Sequence, residues 1–302
     1  MKAVVLTEYG GPEVLKFGDF SDPAPGLGEV LVKVAAASIN PVDLKQRSGA
    51  TRAYFPLDFP NVIGWDVSGT VVELGPDVSD FAVGDRVFAW AFHTYAELCV
   101  VKSDVLAKIP EGIDLIEAAA LPLVTMTGSQ LISKASGIRQ GQSILVSGAV
   151  GSVGRAAVCT ANDKGAVVIA GVRRDQFAEA KGLGVSKVVA LDDEADLSAV
   201  PPVDVVANTI GGPAAAQLLS KVKDGGTFAS VTGVPEKAQK YPYVHSVAFV
   251  SKQDTKTLLY MADAVRDGRL KIPIAKKLPL REAREGHIAM EKGAAGKILL
   301  VA

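Results

Sequence analysis

Ser143-Ile144-Leu145-Val146-Ser147-Gly148-Ala149-Val150-Gly151-Ser152-Val153-Gly154 is an apolar strand that runs into a glycine-studded turn. A predicted helix over 155–164 follows it. The glycines stand at 148, 151 and 154, a G-x-x-G-x-x-G spacing rather than G-x-G-x-x-G. The physics of such a turn is unchanged. Gly151 lets backbone approach a pyrophosphate, and Gly154 lets helix and strand pack closely. The helix N-terminus turns free N–H groups and its positive dipole end toward the phosphates. A merely structural strand-to-helix turn would also use glycines. Here the turn lies inside a strand–helix–strand unit, the context dinucleotide binding requires.

The rhythm continues on the C-terminal side. Strands are predicted at 166–170, 187–190, 203–207 and 227–231, with helices at 176–183, 213–222 and 256–265. Continuous apolar strands separated by helices predict a parallel sheet covered on both faces. Upstream, to about residue 115, short strands at 29–36, 67–74 and 84–88 lie between Gly/Pro turns and suggest a barrel-like β domain. A helix is expected over 127–135 and a last strand over 297–301. The fold class is therefore α/β, with a β-barrel domain beside a doubly wound sheet.

The end of the strand after the glycine turn bears on which dinucleotide is bound. It reads Ala170-Gly171-Val172-Arg173-Arg174-Asp175. An NAD site places a carboxylate there for the ribose 2′-OH, whereas two guanidiniums suit a 2′-phosphate. Arg173 and Arg174 thus favour NADPH. A solvated pair at a helix start is the alternative, and a longer strand would make Asp175 the NAD carboxylate.

Composition excludes several classes. With 32 Lys+Arg against 33 Asp+Glu the net charge is −1, and no basic stripe marks a nucleic-acid binder. No run of about 18 apolar residues predicts a membrane span. The N-terminal apolar run is too short for a signal-peptide core and is broken by Glu8. Only two cysteines occur, Cys99 and Cys159, read as free thiols in a reducing cytoplasm. The three histidines, His93, His245 and His287, show no paired spacing, and only His93 has a cysteine near it. No metal is expected. His93 reads as a cleft-wall or exposed residue, His245 and His287 as surface.

Further stretches carry a resemblance. They are Met1-Lys2-Ala3-Val4-Val5, Tyr9-Gly10-Gly11-Pro12-Glu13-Val14-Leu15 and Ser38-Ile39-Asn40-Pro41-Val42-Asp43-Leu44-Lys45. Gly64-Trp65-Asp66-Val67-Ser68-Gly69, Val83-Gly84-Asp85-Arg86-Val87, Tyr95-Ala96-Glu97, Ala120-Leu121-Pro122-Leu123 and Gly296-Lys297-Ile298 complete the set with the phosphate turn. In this order the chain resembles the medium-chain dehydrogenase/reductase superfamily, in its zinc-free quinone oxidoreductase and alkenal (enone) reductase branch, and is similar to zeta-crystallin. The resemblance implies a GroES-like substrate domain at 1–119 and 267–302 and a Rossmann NADPH-binding domain at 120–266. It implies a nicotinamide held between the domains, and often a homodimer. Zinc-dependent relatives carry a Cys near Asn40 and a His-Glu pair where this chain has Trp65-Asp66.

Without a Lewis acid, reduction of a quinone or an α,β-unsaturated carbonyl by NADPH fits better than alcohol oxidation. The resemblance puts Asn40 by the nicotinamide ribose and substrate and Thr127 by the cofactor. Ala149 and Val150 line the cofactor, with Gly151, Ser152 and Val153 at its pyrophosphate. Ile210, Gly211, Val231, Thr232 and Gly233 wall the nicotinamide, and Gly296-Lys297 closes over it. Tyr54 is a candidate carbonyl donor, and Trp65 and Phe92 are candidate substrate walls. Plainer roles stand beside these: turn capping for Asn40 and Asp43, a helix start for Thr127, a solvated strand end for Lys297 and plain packing for the aromatics. The loop at 87–95 is short and lacks the Gly-Gly usual before Tyr-Ala-Glu, and no general acid stands out. An enoyl-thioester reductase or a non-catalytic NADPH-binding sensor is the alternative function.

Overall fold

The structure, a computed structural model, describes all 302 residues. The chain forms two compact units, one of Met1–Leu123, Gln253–Asp267 and Ile272–Ala302, the other of Val124–Lys252 and Gly268–Lys271. No helix is long and apolar enough to cross a membrane.

The first unit opens with β1 (Lys2–Leu6), β2 (Lys16–Asp19), β3 (Glu29–Ile39) and helix α1 (Pro41–Arg47). Then come β4 (Asn61–Val62), β5 (Asp66–Leu74), β6 (Arg86–Trp90), β7 (Leu98–Lys102) and β8 (Leu106–Lys108). Helix α2 (Pro122–Gln130) carries the chain into the second unit. There β9 (Ser143–Ser147), α3 (Ser152–Asp163), β10 (Val167–Val172), α4 (Phe177–Lys181), β11 (Lys187–Ala190), α5 (Glu194–Ser198), β12 (Val203–Asn208), α6 (Pro213–Leu218), β13 (Val222–Ser230) and β14 (His245–Ala248) follow. Back in the first unit lie α7 (Thr255–Arg266), β15 (Ile274–Pro279), α8 (Ala283–Glu291) and β16 (Lys297–Val301).

In the first unit the main sheet runs β15-β16-β3-β5-β6-β8, with β7 also on β3, and a smaller sheet runs β2-β1-β4. Register places the polar residues that matter. Ile298 pairs with Ile39 and Val67 with Ala37. The next positions, Lys297, Asn40, Ser38 and Asp66, are thereby gathered at one end of three adjacent strands.

In the second unit all six strands are parallel, in the order β11-β10-β9-β12-β13-β14. The first strand, β9, is central and the order reverses between it and β12, where such sheets open a crevice at their carboxyl ends. Successive side chains of a strand point to opposite faces. Ile144, Val146 and Val168 accordingly meet Ala157 and Val158 of α3, while Leu145, Ile169 and Phe228 meet Leu218 and Leu219 on the other face.

Five details depart from the sequence reading. Helix α3 begins at Ser152, directly after its cap Gly151, and α4 is only five residues long. The edge strand β14 and the helix α5 had no sequence signal. Residues 253–266, expected in the second domain, belong to the first unit, where α7 packs near β8.

Candidate functional site

In the second unit Gly148 has φ +65°. A Cβ there would sit 2.7 Å from Ile210 Cγ2 and Thr209 Oγ1. At Gly154 a Cβ would lie 2.1 Å from Gly148 O, so α3 can seat on the turn only with glycine there. Gly151 is exposed at the helix N-cap. The first N–H groups of α3 have no partner within the helix, and no acidic side chain occupies its first turn. This cradle of bare backbone fits a pyrophosphate. Ala149 and Val150 are buried under it, and Ser152 and Val153 are half-buried. Arg155 braces the turn through Nε to Val150 O at 2.9 Å and an ion pair to Glu179.

Asn208 ties the neighbouring strand ends together. Its Oδ1 accepts from Ser147 Oγ at 2.7 Å, and its Nδ2 donates to Ile210 O at 2.7 Å and to Ser230 Oγ at 3.0 Å. Thr209 N–H donates to Ser147 Oγ, and Thr232 Oγ1 donates to Ile210 O. Ile210 and Val231 are half-buried, whereas Gly211, Thr232 and Gly233 are exposed. No atom comes within 4 Å of a Cβ built on Gly211 or Gly233. Thr127 is half-buried on α2, its hydroxyl 2.8 Å from Ser251 Oγ.

Strand β10 ends at Val172, so Asp175 stands three residues beyond it. Arg173 is 65% exposed, and its Nε donates to Asp175 Oδ1 at 3.2 Å. Arg174 pairs with Asp193 at 2.7 Å and Asp196 at 3.1 Å, and lies over the Phe177 ring.

In the first unit a chain of buried polar groups runs through the strand ends. Asp66 accepts from Ser38 Oγ at 2.6 Å, Asn40 Nδ2 at 2.8 Å and the Leu123 N–H at 2.8 Å. Lys297 Nζ donates to Asn40 Oδ1 at 2.6 Å and Ile39 O at 3.2 Å and lies 3.4 Å from Asp66. Asp43 Oδ2 accepts from the Asn40 N–H at 2.7 Å and from Tyr95 OH at 3.0 Å. Tyr95 OH lies 3.3 Å from His287 Nε2, whose Nδ1 lies 3.1 Å from Arg47 Nη1. Arg47 ends the chain on Glu291 at 2.6 Å. Burial pushes Asp43 up to about 7, with Asp66 adding to the effect against the Asn40 N–H. Burial also lowers His287 to about 3, helped by Arg47, and lowers the Lys297 ammonium against the pull of Asp66 and Asp43.

These distances correct three expectations. His287 is fully buried, not a surface residue. Asn40 is at the cap of α1, yet its side chain is spent on Asp66 and Lys297. Lys297 is neither solvated nor open toward a ligand; its ammonium is consumed inside the first unit. Gly296, beside it, has φ +134°.

A cavity of about 380 Å³ in the first unit is lined by Gln46, Tyr54, Phe55, Leu57, Phe92 and His93, among others. Tyr54 is 83% exposed and Phe92 42%. Trp65 is not part of that lining. It is buried behind it, edge-on to Phe55 and Phe92, with Nε1 donating to Gln46 Oε1 at 3.0 Å.

Sequence profiles describe what these parts amount to. The alcohol dehydrogenase GroES-like domain matches residues 26–111, and the zinc-binding dehydrogenase domain matches residues 183–300. The chain is 30% identical to a chloroplast envelope quinone oxidoreductase homolog of Arabidopsis thaliana, over 99% of this chain and 98% of that one. The chain belongs to the medium-chain dehydrogenase/reductase superfamily. Its fold matches a solved NAD-dependent alcohol dehydrogenase with TM-score 0.90 and 29% identity, covering 100% of both chains. It also matches a mycobacterial protein solved with NADPH, with TM-score 0.86 and 26% identity, again covering 100% of both. A medium-chain dehydrogenase/reductase is an oxidoreductase with a nucleotide-binding domain, and this chain is one.

Trp65 and Asp66, the pair that the resemblance sets against the His-Glu of zinc-dependent relatives, are both engaged within the first unit. Trp65 is packed among aromatics, and Asp66 holds four polar partners. Cys99, the cysteine near His93, is buried with its thiol pushed up to about 12 by burial, and it donates to Phe92 O at 3.3 Å. No three His, Cys, Asp or Glu side chains cluster so as to hold a metal ion. The buried chain from Arg47 to Asp43 is the feature sequence reading missed. Its partners are far apart along the chain, and no local pattern marks them.

Proposed function

We propose that this protein is a zinc-independent reductase that uses NADPH to reduce a quinone or an α,β-unsaturated carbonyl. The end of β10 carries the choice of nucleotide. The strand stops at Val172, and the next side chain is a guanidinium where an NAD site needs a carboxylate. Arg174 is divided between two carboxylates, so Arg173 is the group less committed and better disposed toward a 2′-phosphate.

When bound, the nicotinamide supplies the hydride. The chain's own residues do the rest. The bare turn at 148–154 and the N-terminus of α3 hold the pyrophosphate, with Ala149, Val150, Ser152 and Val153 around it. Asn208 fixes Ile210 and Thr232 at the strand ends beside that turn. In the first unit Asn40, Asp66 and Lys297 form a rigid floor and act as positioning residues. The cavity behind Tyr54 and Phe92 takes a flat acceptor. Strand β14 is one of the sheet's two edge strands, β11 being the other, and is the edge we assign to a second copy in a homodimer.

The test is NADPH and NADH consumption against quinones, alkenals and enoyl thioesters. Arg173→Ala should raise the KM for NADPH at least tenfold more than that for NADH. Equal effects on both would sink the nucleotide assignment. Dialysis against a chelator should leave turnover unchanged; loss of turnover restored by zinc would overturn the zinc-independent reading. Tight NADPH binding with no turnover on any acceptor would point to a sensor.

A further inference from the structure

We propose that His93 donates a proton to the acceptor's carbonyl oxygen as negative charge develops there. The inference rests on the reductase reading and adds to it the missing acid.

His93 lines the 380 Å³ cavity beside Phe92 and is exposed within it. Its Nδ1 lies 2.6 Å from Val62 O. A carbonyl oxygen only accepts, so Nδ1 carries a hydrogen and Nε2 is the nitrogen left for a ligand. The backbone of His93 has φ +61°, in the left-handed region that few non-glycine residues adopt, histidine among the more frequent of them. Backbone bonds flank it on both sides. Ala91 N–H donates to Trp65 O at 3.1 Å and Tyr95 N–H to Ile63 O at 3.0 Å, which straps the loop across residue 64. Gly64, at φ +112°, leaves the room: a Cβ there would lie 2.3 Å from Thr94 Oγ1. The Cys99 thiol holds Phe92 O from behind. The short 91–95 loop therefore carries one imidazole, anchored by Val62 O, that lines the cavity shared with Phe55, Phe92 and Tyr54.

The ligand is a conjugated carbonyl compound. A bound NADPH would supply hydride to the β-carbon, and the displaced C=C π pair would leave negative charge on the carbonyl oxygen. The Nε2–H bond of the imidazolium breaks, its electron pair stays on nitrogen, and an O–H bond forms. The enol becomes the ketone in water, and the exposed ring regains a proton from solvent. NADPH is oxidised and the acceptor reduced by one electron pair. The charged and titratable groups facing His93 are Asp58 and Tyr54 across this cavity. In the adjoining cavity, which His93 also lines, they are the Met1 ammonium and the Asp22 paired with it.

The test uses His93→Asn, because asparagine tolerates left-handed backbone, and His93→Gly, which relieves it. With NADPH and an enone, His93→Asn should lose on the order of 100-fold in kcat with KM within threefold. Imidazole in the buffer should restore turnover to His93→Gly. A kcat within twofold of wild type overturns the proposal, as does failure of imidazole to rescue. A second readout needs no dinucleotide: 4-nitrophenolate, a stand-in for the enolate, is titrated by its visible absorbance. His93→Asn should weaken its binding about tenfold, and unchanged affinity would overturn the assignment. If the wild-type protein reduces nothing, the reductase reading fails; if it turns over and His93→Asn keeps pace, only the role of His93 falls.

Discussion

Asp43 and His287 sit two hydrogen bonds apart, joined by Tyr95, and burial displaces them in opposite senses. Asp43 rises from 3.8 to about 7, so the folded chain keeps a proton that the unfolded chain releases. Its contribution to stability is present at low pH and lost as pH climbs through that interval. His287 falls from 6.5 to about 3, so the unfolded chain binds the extra proton. Its contribution is present above 6.5 and lost as pH drops toward 3. Between about pH 4 and 6.5 the two slopes, each at most about 1.4 kcal/mol per pH unit, oppose one another. Wild-type stability should therefore vary with pH less steeply there than either group alone would make it. Asp43→Asn leaves His287 alone and should lose stability on acidification from pH 6.5 to 4.5, read from urea midpoints at each pH. A profile as flat as wild type would contradict the buried chain. The sequence singled out Asn40, Asp43 and Lys297, yet not that they spend their polar atoms on one another. His287 was legible only as surface, because Tyr95 and Arg47 lie 192 and 240 positions away.

At the scale of elements, the close seating of α3 on β9 governs the nucleotide site. The Cβ of an alanine at 154 would lie 2.1 Å from Gly148 O and 2.8 Å from Ala149 Cα. Both obstacles are backbone, so α3 itself must shift. Gly154→Ala should cost about 1–3 kcal/mol by overpacking and weaken NADPH binding more than tenfold, by thermal melts and fluorescence titration. Ser152→Gly, at a half-exposed position beside it, should bind NADPH within threefold of wild type. Normal affinity in Gly154→Ala would mean that the turn does not hold the phosphates. The parallel sheet was legible because each central strand is a continuous apolar run. Strand β14 was not: its four residues are half-buried or exposed at an edge, without such a run. Helix α7 shows a clear apolar stripe, with Leu258, Met261 and Ala262 buried. Its membership of the first unit is settled by packing that a stripe does not encode.

Over the whole molecule, the first unit depends on its last residues. Strand β16 lies between β15 and β3, so its loss would strip partners from both and leave a gap in the main sheet. Ile298, Leu299 and Leu300 have no exposed surface, and Lys297 supports Asn40 from the same strand. Losing three such aliphatic side chains costs about 2–5 kcal/mol each, against a total stability of about 5–15 kcal/mol. Deletion of 297–302 should therefore unfold the first unit. The second unit has its own core around β9, β10 and β12, formed by a nearly continuous stretch of chain. Both tryptophans of the chain, Trp65 and Trp90, belong to the first unit, so their emission reports on it alone. The truncated protein should show red-shifted tryptophan emission while keeping much of its far-ultraviolet helical signal. Removal of the exposed Ala302 by itself should leave both signals and the melting temperature unchanged. Native-like emission after deletion of 297–302 would show that β3 and β5 hold the unit together without β16.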